Sequence, residues 1–517
     1  MKRLILVLSP MLGCPAPVVV SDAGWPQDAF VQALDAGRSD LGSLEIGPRE
    51  DTGPPPVLPP AFQERWVTPL ADESSASPLA TDLNGDGNLD LVLGTGTEAA
   101  RGSIEALSGV NGGSLWRSTE AGESLFTLGL EIDLNLDGTN ELVIGGRGAE
   151  LLAIDASTGG LIWNFEPRGN AAREAGYFNF YTPQALPDLD GDEIPELLLA
   201  NGGDARAAPF APRPPGHLMI LSGDDGRPLR QAVMPDQAET YLSPLWIQRE
   251  PLEASVIIFG SGGETLPGSL WKATLGDLMQ EDLSRAVELM APASHKGFIA
   301  PPAIVDLNGD GQVEVVAASF DGRIAAIQLD QGEELWSHSL ADAETQASPA
   351  IGYLDGDEHP DVLALFCRGT YPHWNGVELL AISGHDGRIL YQHRFENTAV
   401  PSPLLVDLNR DGLDEAILIL NPVIDEGPQQ QVDQRILLLA GGTGERHELA
   451  AHPGTSVGTP LVQDLDGDGH YEMVFTRSGR RGLEMVLWDL DAPVAQHRGW
   501  PGYLGPHGTG RFTPSAR

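Results

Sequence analysis

Cysteine and basic residues are scarce in this chain of 517 residues. It has 2 Cys, and 31 Lys and Arg stand against 74 Asp and Glu, which gives a formal net charge of -43. Two cysteines exclude a disulfide framework. The shortage of positive charge argues against nucleic acid or an anionic membrane surface as a partner, because both need a basic footprint. The acidic excess needs another explanation, and metal ligands are the obvious one.

The N-terminus carries an apolar run, residues 4–12, that is too short to span a bilayer. Lys2 and Arg3 precede it, which is the order of a secretory signal. The residues "MLGC" resemble the bacterial lipobox, with Met11 at the usual Leu position. We predict a signal peptide over 1–13 and lipidation of Cys14, with ordinary cleavage or an uncleaved short anchor as alternatives. Lipidation implies the bacterial envelope, at the outer membrane or cell surface; otherwise we expect secretion.

Residues 14–61 are rich in Asp, Gly and Pro and have no apolar periodicity. Such a segment cannot bury enough apolar surface to fold, so we predict a disordered tether. The whole chain is 41% hydrophobic and 20% charged, which indicates that the rest is globular. Cys367 lies in the apolar run "DVLALFC", and we predict that it is a small core residue.

An acidic motif of nine residues recurs along the remainder of the chain. Its copies are "DLNGDGNLD" at 82, "DLNLDGTNE" at 133, "DLDGDEIPE" at 188, "DLNGDGQVE" at 306, "YLDGDEHPD" at 353, "DLNRDGLDE" at 407 and "DLDGDGHYE" at 464. Successive copies begin 47 to 57 residues apart, except for one gap of about twice that length. In the gap, the segment from Tyr241 keeps the flanking apolar runs without the acidic loop. The chain therefore contains eight units.

Each unit also has a second half, such as "GSIEALSGVNGGSLWRS" from Gly102, in which two apolar runs flank a turn. Four short strands per unit are typical of propeller blades. The segment from Glu64 is similar to the outer-strand segment from Glu334, so we expect it to pair with the last blade and close the ring. We predict an all-β, eight-bladed propeller with four-stranded antiparallel blades over 62–500, followed by a tail over 501–517.

The motif halves resemble FG-GAP (VCBS-type) repeats, the units of integrin α-subunit propellers and of many bacterial surface proteins. The second halves resemble quinoprotein-type repeats, in which a Gly turn is followed by Trp116, Trp163 or Trp336. The segment "WPGYLGPHGTGRF" is similar to a tail that often follows such bacterial repeats. This resemblance covers residues 62–517 and implies calcium-bearing loops on an adhesion or binding scaffold.

The motif places oxygen ligands where calcium needs them. Side chains at positions 1, 3, 5 and 9, with the carbonyl of position 7, supply a flexible oxygen shell, and Gly at position 6 permits the turn. An EF-hand is excluded, because position 12 is Leu93 and a strand follows. The alternative is an ordinary solvated acidic turn. We predict about six calcium sites, and we expect the loop at 353, where Tyr353 replaces the first Asp, to be weak or empty.

The predicted ligands, five from each of six loops, are Asp82, Asn84, Asp86, Asn88, Asp90; Asp133, Asn135, Asp137, Thr139, Glu141; Asp188, Asp190, Asp192, Ile194, Glu196; Asp306, Asn308, Asp310, Gln312, Glu314; Asp407, Asn409, Asp411, Leu413, Glu415; and Asp464, Asp466, Asp468, His470, Glu472. In the third of these loops, Glu193 replaces the turn glycine, which we expect to weaken the loop without removing a ligand. Without a cation, carboxylates this close would repel one another strongly.

Loops on the opposite face are longer and uneven, which is where binding residues usually lie. Two aromatic groups there are candidate ligand contacts: Tyr177, Phe178, Phe180 and Tyr181, and Tyr371, His373 and Trp374. The alternative is that these rings fill the central channel or pad neighbouring blades.

No HExxH, CxxC or P-loop motif is present. We therefore predict a monomeric, non-enzymatic scaffold that binds a protein or polysaccharide and contacts the membrane only through its lipid anchor. The alternatives are an envelope assembly factor, similar to the eight-bladed lipoprotein that assists outer-membrane protein insertion, a polysaccharide lyase, or a quinoprotein-like enzyme on the same fold.

Overall fold

The computed structural model of the chain describes residues 60–513, except for 98–100, 205, 293, 372, 424–432, 480–481 and 497–498. The predicted signal peptide, Cys14, nearly all of the predicted tether and the last four residues lie outside the described residues. Among the helices of the described part, none combines the length and the apolar character needed to cross a bilayer.

The described residues form eight antiparallel sheets, one for each repeat unit. This confirms the predicted eight-bladed, all-β propeller. In blades one to four the strands are β2 (Leu79–Thr81), β3 (Asp90–Gly94), β4 (Ile104–Leu107), β5 (Ser114–Ser118); β6 (Leu130–Ile132), β7 (Glu141–Gly145), β8 (Leu151–Asp155), β9 (Leu161–Asn164); β10 (Asn179–Phe180), β11 (Gln184–Leu186), β12 (Glu196–Gly202), β13 (His217–Leu221), β14 (Pro228–Val233); and β15 (Leu245–Ile247), β16 (Val256–Gly260), β17 (Leu270–Thr274), β18 (Val287–Met290).

Blades five to eight follow the same plan, and blades three and six have an inner strand in two pieces. Their strands are β19 (Ala303–Val305), β20 (Glu314–Ala318), β21 (Arg323–Gln328), β22 (Glu334–Ser339); β23 (Ala343–Glu344), β24 (Ala350–Gly352), β25 (Asp361–Arg368), β26 (Gly376–Ile382), β27 (Ile389–Phe395); β28 (Leu404–Val406), β29 (Glu415–Leu420), β30 (Gln434–Leu439), β31 (Arg446–His452); and β32 (Leu461–Gln463), β33 (His470–Gly479), β34 (Gly482–Pro493), β1 (Phe62–Pro69). Two short helices, α1 (Gly169–Ala175) and α2 (Leu275–Met279), lie in connections.

Burial within a blade follows the sequence pattern. The second strands are short apolar runs, such as "DLVLG" in β3, and every residue of that strand is buried between neighbouring sheets. The fourth strands are half exposed, as in β22, where polar residues alternate with the buried Trp336. Cys367 is buried in β25, and burial raises the pKa of its thiol to about 12.

The ring closes by overlap between the two ends of the propeller. Strand β1 pairs antiparallel with β34, from Phe62 opposite Leu490 to Pro69 opposite Glu484, so the first residues of the propeller complete blade eight. This pairing confirms the predicted closure. It removes an open sheet edge, which would otherwise invite pairing with another chain.

Tryptophans on outer strands join neighbouring blades. The indole N–H of Trp116 donates to the carbonyl of Ala156 at 2.9 Å, and its ring lies where a Cβ on Gly159 would be only 2.5 Å away. Trp163 makes the same contact with Gly223 in the next blade. Glycine with positive φ is therefore required in the turn that receives the ring.

The C-terminal tail lies against the inner strands of the ring. Trp500 and Leu405 exchange backbone hydrogen bonds, and Ile304 donates to Gly510 at 2.8 Å and accepts from Phe512 at 2.9 Å. The Gln184 side chain donates to the carbonyl of Gly508 at 3.3 Å. Residues 499–513 thus touch blades three, five and seven.

Candidate metal centres and the opposite face

The last acidic residue of each motif is buried and lies at the start of the second strand of its blade, as the first residue in six blades and as the third in blade eight, where β33 begins at His470. Its carboxylate accepts a hydrogen bond, 2.6 to 3.3 Å long, from the backbone N–H of the second motif residue. The pairs are Leu83 with Asp90, Leu134 with Glu141, Leu189 with Glu196, Leu307 with Glu314, Leu354 with Asp361, Leu408 with Glu415 and Leu465 with Glu472. The apolar second strand thus holds one carboxylate of each loop out of water.

The first motif residue shapes the turn. In blade one, Asp82 accepts hydrogen bonds from the backbone N–H groups of Gly85 at 2.8 Å and Gly87 at 3.0 Å. The same contacts recur between residues 306 and 311 of blade five. Gly87 has φ of +86°, a conformation that favours glycine. These loops therefore curl around the side chain of their first Asp.

The turn between the third and fourth strands lies beside the acidic loop. The Gly109 N–H donates to Asp90 at 3.3 Å in blade one, and the Gly384 N–H donates to Asp361 at the same distance in blade six. Both kinds of turn therefore occupy one end of the propeller, which we call the acidic face. The loops between second and third strands and between blades form the opposite face.

The buried ninth-position carboxylates have raised pKa values. Burial is the largest cause, neighbouring carboxylates of the same loop add to it, and the hydrogen bond from the second residue opposes it. The pKa is about 7 for Glu196, Glu314, Asp361 and Glu472 and about 8 for Glu415. The same causes raise the pKa of Asp90 and Glu141. In the absence of a cation, the carboxyl groups with pKa values of about 7 to 8 are therefore largely or partly protonated near pH 7.

Three loops bring several carboxylates together, with one oxygen from each within 4.8 Å of the others. The groups are Asp188, Asp190, Asp192 and Glu196; Asp355, Asp357 and Asp361; and Asp464, Asp466 and Glu472. The second group belongs to the loop at 353, where a weak or empty site is expected. The side chain of Tyr353 packs outside the loop, with its ring centre 6.0 Å from that of Phe512 in the tail. Three acidic ligands nevertheless remain there.

The donor set suits a hard divalent cation, since every predicted ligand offers oxygen. Glu314 provides a specific indication, because its side chain is wholly buried and its Oε1 atom has no hydrogen-bond partner in the described structure. A buried carboxylate oxygen without a partner is costly. A cation held by Glu314, Asp306 and Asp310 would satisfy it. The thirty predicted ligands remain predictions.

The first aromatic group on the opposite face is mostly buried. Phe178 and Phe180 pack in the core, and the ring of Phe180 meets that of Phe165 edge to face at 4.8 Å. Tyr177 is half-buried and donates to the Gln231 side chain at 2.9 Å. Tyr181 lines the central cavity, where its ring lies 5.7 Å from that of Phe126. The packing matches the alternative role of these rings, as padding between blades and around the channel.

The second aromatic group is more accessible. Trp374 is buried, and its indole N–H donates to Glu344 at 2.8 Å. Tyr371 is half-buried against it, with ring centres 5.3 Å apart, and His373 is exposed. Tyr371 and His373 are therefore the members of the predicted set that a partner could reach most directly.

Two further features of this face do not stand out in the sequence. The first is a buried set of charges. Arg213 pairs with Glu239 at 2.7 Å, Tyr241 donates to Glu239 at 2.8 Å, and Lys296 pairs with Glu344. Burial raises the pKa of Glu264 to about 8, and charges from both pairs act on this carboxyl. Nothing in the spacing of these residues predicts that they meet.

The second feature is Phe210, whose side chain is 74% exposed, the largest value among the described large apolar residues. It lies in the long loop of blade three that follows β12, in "ARAAPFAPRPPG". The length and proline content of that loop are visible in the sequence, but the orientation of its one aromatic ring is not. This ring is a candidate anchor for a partner.

Comparison with known proteins supports both halves of the repeat. Residues 306–364 match the FG-GAP-like repeat family, and residues 100–246 match the family described as outer membrane protein assembly factor BamB. Each match covers less than half of the chain. The two resemblances seen in the sequence, to FG-GAP repeats and to quinoprotein-type repeats, are therefore supported in these segments.

Among curated proteins, human protein FAM234B is 26% identical over 194 residues, which cover 34% of this chain and 29% of that protein. The chain thus matches less than a third of that relative's length. Among solved structures, the quinohemoprotein alcohol dehydrogenase ADHIIG of Pseudomonas putida HK5 aligns with a TM-score of 0.55 and 12% identity, covering 84% of this chain and 77% of the other. The quinohemoprotein alcohol dehydrogenase of Comamonas testosteroni aligns with a TM-score of 0.53 and 10% identity, with the same coverage. At these identities the likeness concerns the fold: this chain is an eight-bladed propeller built like theirs.

Proposed function

We propose that this protein is a calcium-stabilised, non-enzymatic propeller that binds a protein or polysaccharide through its opposite face. The observation that carries the calcium part is the unpartnered, buried Oε1 of Glu314 in a loop whose design recurs around the ring. Calcium would be held by the thirty predicted ligands and would supply the positive charge that the loops lack. An affinity of about 0.1 to 1 mM is typical of extracellular modules.

Thermal unfolding tests the calcium part. The whole chain would be melted in excess calcium and after chelation, and bound metal counted by mass spectrometry. At one hundred times Kd each site adds about 2.7 kcal/mol to the free energy of unfolding, so six sites predict a large fall in melting temperature on chelation. Magnesium at equal concentration is the control, because it prefers a smaller octahedral shell. No bound calcium and no change in melting temperature would overturn the proposal.

The partner-binding part rests on the shape of the opposite face. Phe210, Tyr371 and His373 stand on loops held by a rigid ring, and an exposed aromatic ring on such a loop is a common interface anchor. The acidic face is a poorer candidate, because many of its carboxylates accept hydrogen bonds from their own loops and others pair with neighbouring arginines. We infer that the partner contacts blades three and six.

An envelope assembly factor is the second candidate, supported by the match of residues 100–246 to the BamB family. The two candidates differ in their ligand. Immobilised protein would be tested against a panel of polysaccharides, including pectin, and against an unfolded outer-membrane β-barrel chain. Binding of the β-barrel chain that Phe210→Ala weakens supports the assembly factor, and binding of a polysaccharide supports adhesion. Release of unsaturated sugars from pectin would overturn both in favour of a lyase.

The cellular location is part of the same proposal. A lipid on Cys14 and the tether over 14–61 would hold the propeller at a bacterial envelope and let it reach a partner. Metabolic labelling with a radioactive fatty acid, with Cys14→Ala as the control, tests this. Label that persists in the variant, or no label in the parent, would contradict it.

A further inference from the structure

The third ligand position of the acidic loops has two chemistries. Four blades carry an amide there, and three carry a carboxylate. The amides are Asn84, Asn135, Asn308 and Asn409, in blades one, two, five and seven, and the carboxylates are Asp190, Asp355 and Asp466, in blades three, six and eight. The three loops whose acidic side chains gather within 4.8 Å are the three with Asp at this position.

Each of these three aspartates is paired with an arginine from outside its loop. In every case a terminal guanidinium nitrogen, Nη2, meets the carboxylate oxygen Oδ2. The pairs are Arg227 with Asp190 at 3.0 Å, Arg388 with Asp355 at 2.7 Å and Arg65 with Asp466 at 2.8 Å. Every aspartate at the third ligand position of these loops is thus paired with an arginine.

The arginines of blades three and six occupy the same place in the fold. Arg227 and Arg388 directly follow the positive-φ glycine of the turn between the third and fourth strands, and their carbonyls accept a hydrogen bond across that turn. The four blades with Asn carry no arginine at this place; the residues there are Gly113, Gly160, Glu333 and Glu445. Asp in the loop and Arg in the turn therefore change together between repeats of one chain.

Blade eight solves the same problem differently. Its fourth strand is β1, from the other end of the propeller, so the chain does not turn from its third strand to its fourth. Arg65 of β1 reaches the loop instead, and its Nη2 also lies 3.7 Å from Glu472. A guanidinium group thus reaches the equivalent carboxylate from two different places in the fold. This indicates that the third aspartate itself requires the arginine, whatever the structure of the turn.

In blades three and eight the exchange keeps the charge of the ligand set equal to that of blade one, whereas blade six, where Tyr353 replaces the first Asp, has one carboxylate fewer. Blade one offers three carboxylates, from Asp82, Asp86 and Asp90. Blade three offers four, and Arg227 compensates one of them, so the sum is again three negative charges. In blade six, Oδ1 of Asp355 accepts the N–H of Asp357 at 2.8 Å, as Oδ1 of Asn84 accepts that of Asp86 at 2.9 Å. One oxygen plays the part of the amide oxygen, and the arginine neutralises the other.

We propose that the Asp–Arg pair is the electrostatic equivalent of asparagine at the third ligand position, and that these arginines set the calcium affinity of their loops. This rests on the proposed calcium binding. The support for a cation comes from the related loop of blade five, where the buried Oε1 of Glu314 has no hydrogen-bond partner among the described residues. Calcium affinity follows the charge of the ligand set. Removing the arginine should tighten calcium binding, and removing the aspartate should weaken it.

A double-mutant cycle in blade three tests the equivalence. Asp190→Asn, Arg227→Gly and the double substitution would be made in a whole chain that also carries Ile194→Trp. The seventh position is predicted to bind through its carbonyl, so the tryptophan can sensitise terbium luminescence at this one loop, and calcium displacement of terbium gives the affinity of the loop.

We expect Arg227→Gly to tighten calcium binding about tenfold, roughly 1.4 kcal/mol, and to lower the melting temperature in chelator. Asp190→Asn should weaken binding about tenfold, and the double substitution should return to within about twofold of the parent. An affinity that does not respond to Arg227→Gly would overturn this inference alone and make the pair an ordinary surface ion pair. A parent that binds neither terbium nor calcium would overturn the proposed function and the inference with it.

Transplanting the pair provides the matched control. In blade five, Asn308→Asp adds an uncompensated carboxylate, and Glu333 stands where Arg227 stands in blade three. Asn308→Asp alone should lower the melting temperature in chelator, and adding Glu333→Arg should restore it. Failure of the arginine to restore stability would show that the turn position does not reach the third ligand, against the proposal.

Discussion

Blade four and the other seven blades make the same turn in different ways. Between β15 and β16 the strands keep the register seen in blade one, with Ile247 opposite Val256 as Thr81 is opposite Asp90. Where the other blades have a buried acid, blade four has Val256, and the neighbouring Ser255 hydroxyl accepts the N–H of Arg249 at 3.0 Å. One neutral side chain thus replaces the ninth-position carboxylate as the acceptor.

The difference shows that the turn itself does not need carboxylates. Blade four closes it with a hydroxyl, and the side chain of Arg249 pairs instead with Asp330 of blade five at 2.6 Å. The acidic loops instead bury a carboxylate beside two or three others, which raises its pKa and weakens the metal-free fold. Such an arrangement is favourable when a cation is bound. Blade four is therefore the internal control for the proposed role of calcium in the other blades.

The largest expected effect of a single substitution comes from Glu314→Gln. Glutamine keeps an oxygen for the Leu307 N–H and removes the buried negative charge. We expect the free energy of unfolding to rise by roughly 1 to 3 kcal/mol in chelator and to fall by a similar amount in calcium. Chemical denaturation under both conditions measures this change of sign.

Ser255→Ala in blade four is the matched variant. It leaves the Arg249 N–H without its acceptor, which should cost about 1 kcal/mol. The loss should be the same with and without calcium, since blade four has no acidic loop. If Glu314→Gln, like Ser255→Ala, changed the free energy of unfolding in the same direction with and without calcium, the contrast between the two kinds of turn would disappear.

The effect of pH, unlike that of a single substitution, sums over several loops. Without calcium, the folded-state pKa values of about 7 to 8 at Glu196, Glu314 and Glu415 lie above the ordinary value of 4.5. The folded chain then holds protons that the unfolded chain has released, so stability is full below about pH 4.5 and is lost as pH rises through 7 to 8. Each such group contributes a slope of up to about 1.4 kcal/mol per pH unit.

Calcium should reverse this dependence, because the cation binds the deprotonated ligands and its affinity rises with pH. Melting temperatures between pH 5 and 8, in calcium and in chelator, would show two curves of opposite slope. Glu314→Gln should reduce the pH dependence measured in chelator by the contribution of one titrating group, whereas Ser255→Ala should leave the pH dependence unchanged in both conditions. Parallel curves would contradict the assignment of the raised pKa values to the calcium loops.

The repeat pattern was sufficient to predict the fold. The acidic motif gave the period, the apolar runs gave the four strands, and the similarity between the segments at Glu64 and Glu334 gave the closing strand β1. These features are local in sequence, and every blade repeats them. The candidate ligands follow from the same local spacing, which is why the ninth-position acids, such as Glu314, could be named from the sequence.

Contacts between distant segments could not be predicted in the same way. Arg213 meets Glu239 and Tyr241 only because blades three and four are adjacent, and the burial of Phe180 depends on Phe165 in the preceding blade. Aligning the turns of the repeats would have found Arg227 and Arg388, since both follow the turn glycine. Arg65 could be assigned to blade eight only once the overlap of β1 was known.

The smallest expected effect concerns Glu193, a position at which the loop of blade three resembles that of blade four. Both have Glu at the sixth position of the turn, but blade three keeps its four acidic ligands. Glu193 has φ of +74°, a left-handed conformation that costs a residue with a side chain roughly 1 kcal/mol, and its N–H still donates to Asp188 at 3.0 Å. Glu193→Gly should therefore raise the free energy of unfolding by about 1 kcal/mol in calcium and in chelator alike.

Glu253→Gly, at the sixth position in blade four, is the control, because that residue lies outside the positive-φ set and glycine there should stabilise nothing. If Glu193→Gly changed stability only in calcium, the side chain of Glu193 would have to act on the metal site rather than through the backbone of the turn.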